Sequence, residues 1–167
     1  MIYNIEEMLP HEKPMILIDN VVEINEEKKY IICDVTIKGD SIFYNKELGG
    51  ISPLVGIEYM AQTIGCHAYF KNGKKKVEIG LLLGTRLFEN NLKFFELGKT
   101  YTIKAQEVFF DGELVSYECF IYNNNTECAK ATLNAFMPHN TQKFLEGLSG
   151  WVKEYLLPVQ AEVSAEL

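Results

Sequence analysis

The hydrophobic pattern changes period several times along the chain. Near the N-terminus Asn4 to Met8 reads as a short helix stopped by Pro10, and Pro14 opens a nearly continuous apolar run from Met15 to Ile24. Its β-branched content predicts a mostly buried strand. Asn25-Glu26-Glu27-Lys28 is turn material, and Lys29 to Ile37 reads as the second strand of a hairpin. A loop from Lys38 to Ile51 carries Gly39, Asp40, Gly49 and Gly50. Ser52-Pro53 then supplies an N-cap and a first-turn proline, so a helix is predicted from Pro53 to about Lys71, ended by Asn72-Gly73. Four strand-like runs follow at Glu78 to Phe88, Tyr101 to Phe109, Leu114 to Tyr122 and Glu127 to Phe136. Turns at Leu97-Gly98-Lys99, Asp111-Gly112 and Asn123-Asn124-Asn125 separate the last three. In the final segment Phe144, Leu148, Trp151, Val152 and Tyr155 fall on one helical face.

The long helix is apolar on nearly all sides, which a helix lying on a wet surface cannot be. Strands before and after it must therefore curl around it. The expected class is α+β, a hot-dog fold in which a curved antiparallel sheet wraps one long central helix. Gly56, Ala61, Gly65 and Ala68 would let the sheet come close to the helix backbone. The expected organisation is a hot-dog domain over residues 1–139, an amphipathic helix over 140–157 packing on it, and a loose tail over 158–167.

Composition narrows the function classes. Of 167 residues, 47% are apolar and 23% charged, ordinary for a folded domain large enough to bury a core without staples. The net charge of −7 argues against a nucleic-acid partner, whose phosphates require a basic face. Lys71, Lys74, Lys75 and Lys76 form a local basic run able to meet an acidic protein, although a solvated loop is the plainer reading. Cys33, Cys66, Cys119 and Cys128 have neither disulfide-framework nor zinc-ligand spacing, so no metal is expected. The first residues lack the basic flank and apolar run of a signal peptide, and Glu58, Gln62, His67 and four glycines interrupt the apolar stretch from Leu48 to Phe70. A cytoplasmic protein without a membrane span is expected.

Glu58 is the residue most exposed to a functional reading. It shares a helical stripe with Leu54, Ala61, Gly65 and Ala68, and no Lys or Arg on the helix body stands ready to pair it. Burying an unpaired carboxylate costs several kcal/mol, relieved by a proton or a specific partner, and a partly desolvated carboxylic acid suits general acid work. A Glu reaching a backbone group is the structural alternative. Of the histidines, His11 lies in a proline-bracketed segment just before the first strand, where it either reaches Glu58 or fixes its own loop. His67 lies about 13 Å along the helix from Glu58, too far to pair with it, and reads as core. His139, after Pro138, reads as surface.

Three motifs carry a resemblance. Leu9-Pro10-His11-Glu12-Lys13-Pro14-Met15-Ile16-Leu17-Ile18-Asp19 resembles the "LPHRxPfLLID" opening of the FabA/FabZ-like 3-hydroxyacyl-(acyl-carrier-protein) dehydratases. Gly56-Ile57-Glu58-Tyr59-Met60-Ala61-Gln62 resembles their catalytic-helix motif, and Leu97-Gly98-Lys99 their turn before a core strand. Together with Leu81 to Arg86 (LLLGTR), the set is most similar to the dehydratase-like proteins of aryl-polyene biosynthesis. The matches run from about Leu9 to Met137.

The resemblance implies a dimer or higher oligomer with sites between subunits, where a histidine and a carboxylate from opposite chains convert a 3-hydroxyacyl thioester into the trans-2-enoyl form. Glu58 falls on the acidic catalytic position. The loop that holds the family's histidine, about fourteen residues before it, here reads Ile42 to Gly50 and contains none. His11 is therefore the candidate base and Glu58 the acid. Asn45, Gly49, Gly50, Gln62 and Arg86 are the candidate substrate-binding residues, with helix N-terminal amides after Gly49 to Ser52 available for the thioester oxygen. The implied partner is an acyl carrier protein, whose phosphopantetheine arm carries the substrate; no further cofactor is expected. A thioesterase on the same fold, and a non-catalytic subunit of a hetero-oligomeric dehydratase, are the competing functions.

Overall fold

A computed structural model of the chain describes residues 3–76 and 80–151. The chain divides into two units, Met1–Met137 and Pro138–Leu167. In the first unit, strands β1 (Asn20–Asn25), β2 (Tyr30–Thr36), β5 (Leu81–Asn90), β7 (Thr100–Phe110), β8 (Leu114–Asn123) and β9 (Thr126–Phe136) form one sheet in the order β1-β2-β7-β8-β9-β5. Each neighbouring pair is antiparallel. Helix α1 (Gly56–Lys71), entered through a 3-10 turn at Pro53–Val55, packs on β2, β7, β8 and β9. The second unit is described as helix α2 (Thr141–Trp151). The fold is the expected hot-dog arrangement.

Strict alternation along the central strands builds the core. Tyr101, Ile103 and Ala105 on β7, Val115, Tyr117, Cys119 and Ile121 on β8, and Ile31, Cys33 and Val35 on β2 all point inward and are buried. Register shifts at Val21/Glu23, Leu82/Gly84, Thr85/Leu87 and Glu107/Phe109 interrupt that alternation. Such bulges bend a strand, which a sheet curled around one helix requires. The sheet comes closest at Gly56, where a Cβ would lie 3.0 Å from Ile121 Cδ1 and 3.2 Å from Phe95 Cζ. At Gly65 the close neighbour is instead Leu9, whose Cδ2 would stand 2.8 Å from an added Cβ.

Several element expectations change. The run from Met15 to Ile24 is not one buried strand: pairing begins at Asn20, and β1 is largely exposed. Residues Met15 to Asp19 form no strand: Asp19 N–H donates to the Asp34 carbonyl of β2, and side chains hold the rest. Leu17 N–H donates to Gln62 Oε1, and Thr36 N–H donates to Asp19 Oδ2. A chain without a neighbouring strand needs such substitutes for ladder bonds.

The predicted loop from Lys38 to Ile51 contains two short strands, β3 (Tyr44–Asn45) and β4 (Gly50–Ile51), which join β6 (Phe95–Glu96) in a small second sheet. Two-residue strands leave no periodicity to read. The N-terminal helix is a single 3-10 turn at Ile5–Glu7. Glu78 and the stretch 152–167, with the tail and the last residues of the predicted C-terminal helix, lie outside the described residues.

Candidate active site

Along α1 Glu58, Ala61 and Gly65, on the stripe that the sequence pattern marks, are half-exposed, as are Ile57 and Tyr69 off it. The stripe residues floor a cleft of about 190 Å³ whose walls are Leu9, Pro10, His11, Leu82, Ala135 and Met137. Ala68 ends the stripe, roughly 15 Å along the helix axis from Glu58. Small side chains leave the room that the larger residues of the other helical faces fill.

At the head of this cleft His11 Nε2 stands 3.6 Å from Glu58 Oε1, with the two side chains 35% and 30% exposed. Both groups belong to one chain. The resemblance implies a histidine and a carboxylate from opposite subunits, so this pairing differs from that expectation. The cause is the N-terminal segment, which Leu9 anchors against Gly65 and Gln62 ties down at Met15 and Leu17. His11 Nδ1 is buried with no hydrogen-bond partner among the described residues. The ring therefore meets the cleft through Nε2. His11 and Glu58 are the titratable residues lining the cleft, and an apolar trough leads away from them.

Gln62 is fully buried and does not line the cleft. Its Nε2 donates to Glu58 Oε1 at 2.8 Å and to the Met15 carbonyl at 2.7 Å. Asn45 faces its own turn, where Oδ1 accepts from the N–H groups of Glu47 and Leu48. Gly49 adopts φ 70°, and its N–H donates to the Asn45 carbonyl. Gly50 is buried between β3 and β6, and an added Cβ would stand 2.3 Å from the Phe95 carbonyl oxygen. Arg86 lies on β5 beside a separate shallow groove lined by Leu83, Phe109, Leu114, Ser116 and Asn134. The structure thus brings His11, Glu58 and Gln62 together, and it keeps Asn45, Gly49, Gly50 and Arg86 away from that cleft within the chain. At the helix entry, Leu54 N–H donates to Ser52 Oγ and Val55 N–H to the Ser52 carbonyl. Those amides are already engaged.

A second buried polar cluster lies on the opposite side of α1. His67 Nδ1 is 2.6 Å from the Tyr117 hydroxyl, which is 3.5 Å from Glu107 Oε2. Glu107 pairs with Lys71 and, at 3.8 Å, with Lys29. Burial pulls the His67 imidazole down to about 4, and it pushes the Tyr117 hydroxyl well above its ordinary value. Glu107 occupies an inward position of β7, in phase with Tyr101, Ile103 and Ala105, which was the available sequence signal. Lys71 is thereby committed within the fold, while Lys74, Lys75 and Lys76 are exposed. All four cysteines are reduced and buried. Among the described residues no group of His, Cys, Asp and Glu is arranged to hold a metal, and no helix is long and apolar enough to cross a membrane.

A curved antiparallel sheet packed around one long helix places the molecule among the hot-dog proteins. The sequence pattern of the ApeP-like family, described as ApeP dehydratase, matches residues 3–146, and the chain belongs to this dehydratase family. Among solved structures, a chain of the dehydratase heterocomplex ApeI:P from Xenorhabdus doucetiae superposes with a TM-score of 0.78 at 26% identity, covering 87% of this chain and 97% of that one. The PaaI protein of the E. coli phenylacetic acid degradation operon gives 0.55 at 14% identity, with 74% and 81% covered. A hypothetical thioesterase with coenzyme A from Streptococcus pneumoniae TIGR4 gives 0.53 at 18% identity, with 70% and 85% covered. The last two show the shared fold alone. No curated protein matches the chain significantly.

Proposed function

We propose that the chain dehydrates a 3-hydroxyacyl thioester carried on the phosphopantetheine arm of an acyl carrier protein, giving the trans-2-enoyl thioester. The observation that carries the reading is the His11–Glu58 pair, 3.6 Å apart at the head of an apolar cleft, in a member of a dehydratase family. His11 Nε2 takes the C2 proton and the Glu58 carboxyl protonates the C3 hydroxyl. The C3–O bond breaks, water leaves and the C2–C3 double bond forms. The trough along Ala61, Gly65 and Ala68 suits an apolar acyl chain lying beside the helix. Apart from the carrier's arm, the reaction needs no cofactor.

With 3-hydroxyacyl-carrier substrate, Glu58→Gln and His11→Ala are each expected to lower kcat/KM by roughly 10²- to 10⁴-fold, the usual worth of a general acid or base. Unchanged rates in both variants would sink the assignment. Release of free thiol in place of an enoyl product would mean a thioesterase.

A second reading is a subunit of a hetero-oligomeric dehydratase. It is favoured by the absence of a histidine between Ile42 and Gly50, and by the heterocomplex of the matched structure. An inert isolated chain that supports turnover only beside a second dehydratase subunit, and does so equally well as Glu58→Gln, would establish it.

A further inference from the structure

We infer that Gln62 is a positioning residue that fixes the Glu58 carboxyl and the His11 segment together, and that it leaves Glu58 Oε2 as the oxygen that exchanges a proton with substrate. The inference rests on the dehydratase reading of this cleft and deepens it.

The orientation of a glutamine amide is normally open to a flip, since its oxygen and nitrogen look alike. Here the backbone decides it. Leu17 N–H, 2.8 Å from one end of the amide, can only donate, so that end is Oε1. The Met15 carbonyl, 2.7 Å from the other end, can only accept, so that end is Nε2. One N–H of Nε2 is spent on Met15, and the second points at Glu58 Oε1 at 2.8 Å. Glu58 Oε1 must then accept. Because the carbonyl oxygen of a carboxyl is the better acceptor, this bond favours a Glu58 proton on Oε2, the oxygen that Gln62 does not touch.

The same amide holds the other partner. Met15 and Leu17 are four and six residues beyond His11, on the segment that leads into β1. Gln62 lies one helical turn beyond Glu58 on α1. One fully buried side chain thus joins the segment that carries the base to the helix that carries the acid. Because a buried amide left without partners is costly, the three bonds form or fail as a set. The geometry makes the His11–Glu58 separation a property of Gln62.

Two substitutions test this. Gln62→Met keeps length and apolar bulk but loses all three bonds. Gln62→Glu keeps an acceptor for Leu17 and sets a second carboxyl against Glu58 Oε1. For Gln62→Met, kcat is expected to fall at least roughly tenfold with KM within about threefold, since an interaction made through the acid acts on the chemical step. For Gln62→Glu, the alkaline limb of the kcat–pH profile is expected to move upward, because two adjacent carboxyls share a proton. A purely structural glutamine would lower the melting temperature in both variants and leave the pH profile unmoved.

An assay-free readout is the His11 ring resonance in solution NMR. It is expected to shift in folded Gln62→Met, while those of His67 and His139 stay in place. If kcat, pH profile and His11 resonance are all unchanged in folded variants, the inference fails. If the wild type does not dehydrate but the His11 resonance still moves, the positioning role stands and the dehydratase reading falls.

Discussion

His67 was legible as a core histidine, and its surroundings give it a measurable consequence. Burial holds its imidazole at about 4 against the ordinary 6.5. Between those values the unfolded chain binds a proton that the folded chain refuses, so stability is intact above pH 6.5 and falls as pH drops toward 4. The loss expected by pH 4 is about 3 kcal/mol. Urea unfolding at pH 7 and near pH 4.5 measures it, compared with His67→Gln to subtract the carboxylates that titrate in the same range. Equal pH dependence in the two proteins would show that His67 is not held neutral. Glu58 contrasts with His67. The sequence marked it as a charge in an apolar helix, and the structure gives it a half-open cleft, a glutamine donor and a histidine. His11 was open in the sequence to reaching Glu58 or to fixing its own loop, and the fold sets it 3.6 Å from Glu58 within the same chain, once the N-terminal segment lies across α1.

Among the elements, α1 was predicted almost to its last residue, since its cap, its stripe and its Asn-Gly stop are all local signals. What holds its C-terminal end is not local. Lys71 pairs with the buried Glu107 of β7 and lies over the Phe110 ring at 3.9 Å. Lys71→Met keeps the stem on Phe110 but leaves Glu107 with Lys29 at 3.8 Å as its remaining cation. Stranding a buried carboxylate in this way is expected to cost about 3 kcal/mol, read as a lower denaturant midpoint with an unchanged slope. A loss below about 1 kcal/mol would mean that Lys29 alone suffices or that Glu107 takes up a proton. The first strand failed as a prediction for a related reason. Met15 to Asp19 carry a strand-like composition, yet side chains from Gln62 and Asp19 replace the ladder there.

For the whole molecule, the long strand β5 is the decisive feature. Among the described residues it lies at the sheet edge, paired on one side by β9, and Leu82, Leu83 and Leu87 are 42%, 59% and 50% exposed. An unpaired apolar edge is a template for another chain, and Leu82 also walls the cleft. The proposed oligomer therefore predicts a solution mass of at least twice the chain mass by light scattering. Leu83→Lys with Leu87→Lys is expected to bring the assembly back to the monomer while the circular dichroism stays folded. A monomeric wild type would remove the self-assembly, and an assembly indifferent to both lysines would place its interface elsewhere.

The sequence by itself determined the long helix, the main strands and the hot-dog class, and it marked Glu58 as a candidate. These rest on periodicity, caps and turns, which act between near neighbours in the chain. Only the tertiary structure decided which groups meet. Gln62 reaches residues 45 and 47 positions away, and His67 meets Tyr117 across 50. Such contacts depend on strand register and on how closely a neighbour can approach a glycine, as the Leu9 side chain does at Gly65. A single chain's pattern of apolar and polar residues does not record either one. His11, Glu58 and Gln62 were separate candidates in the sequence, and the fold brought the three together.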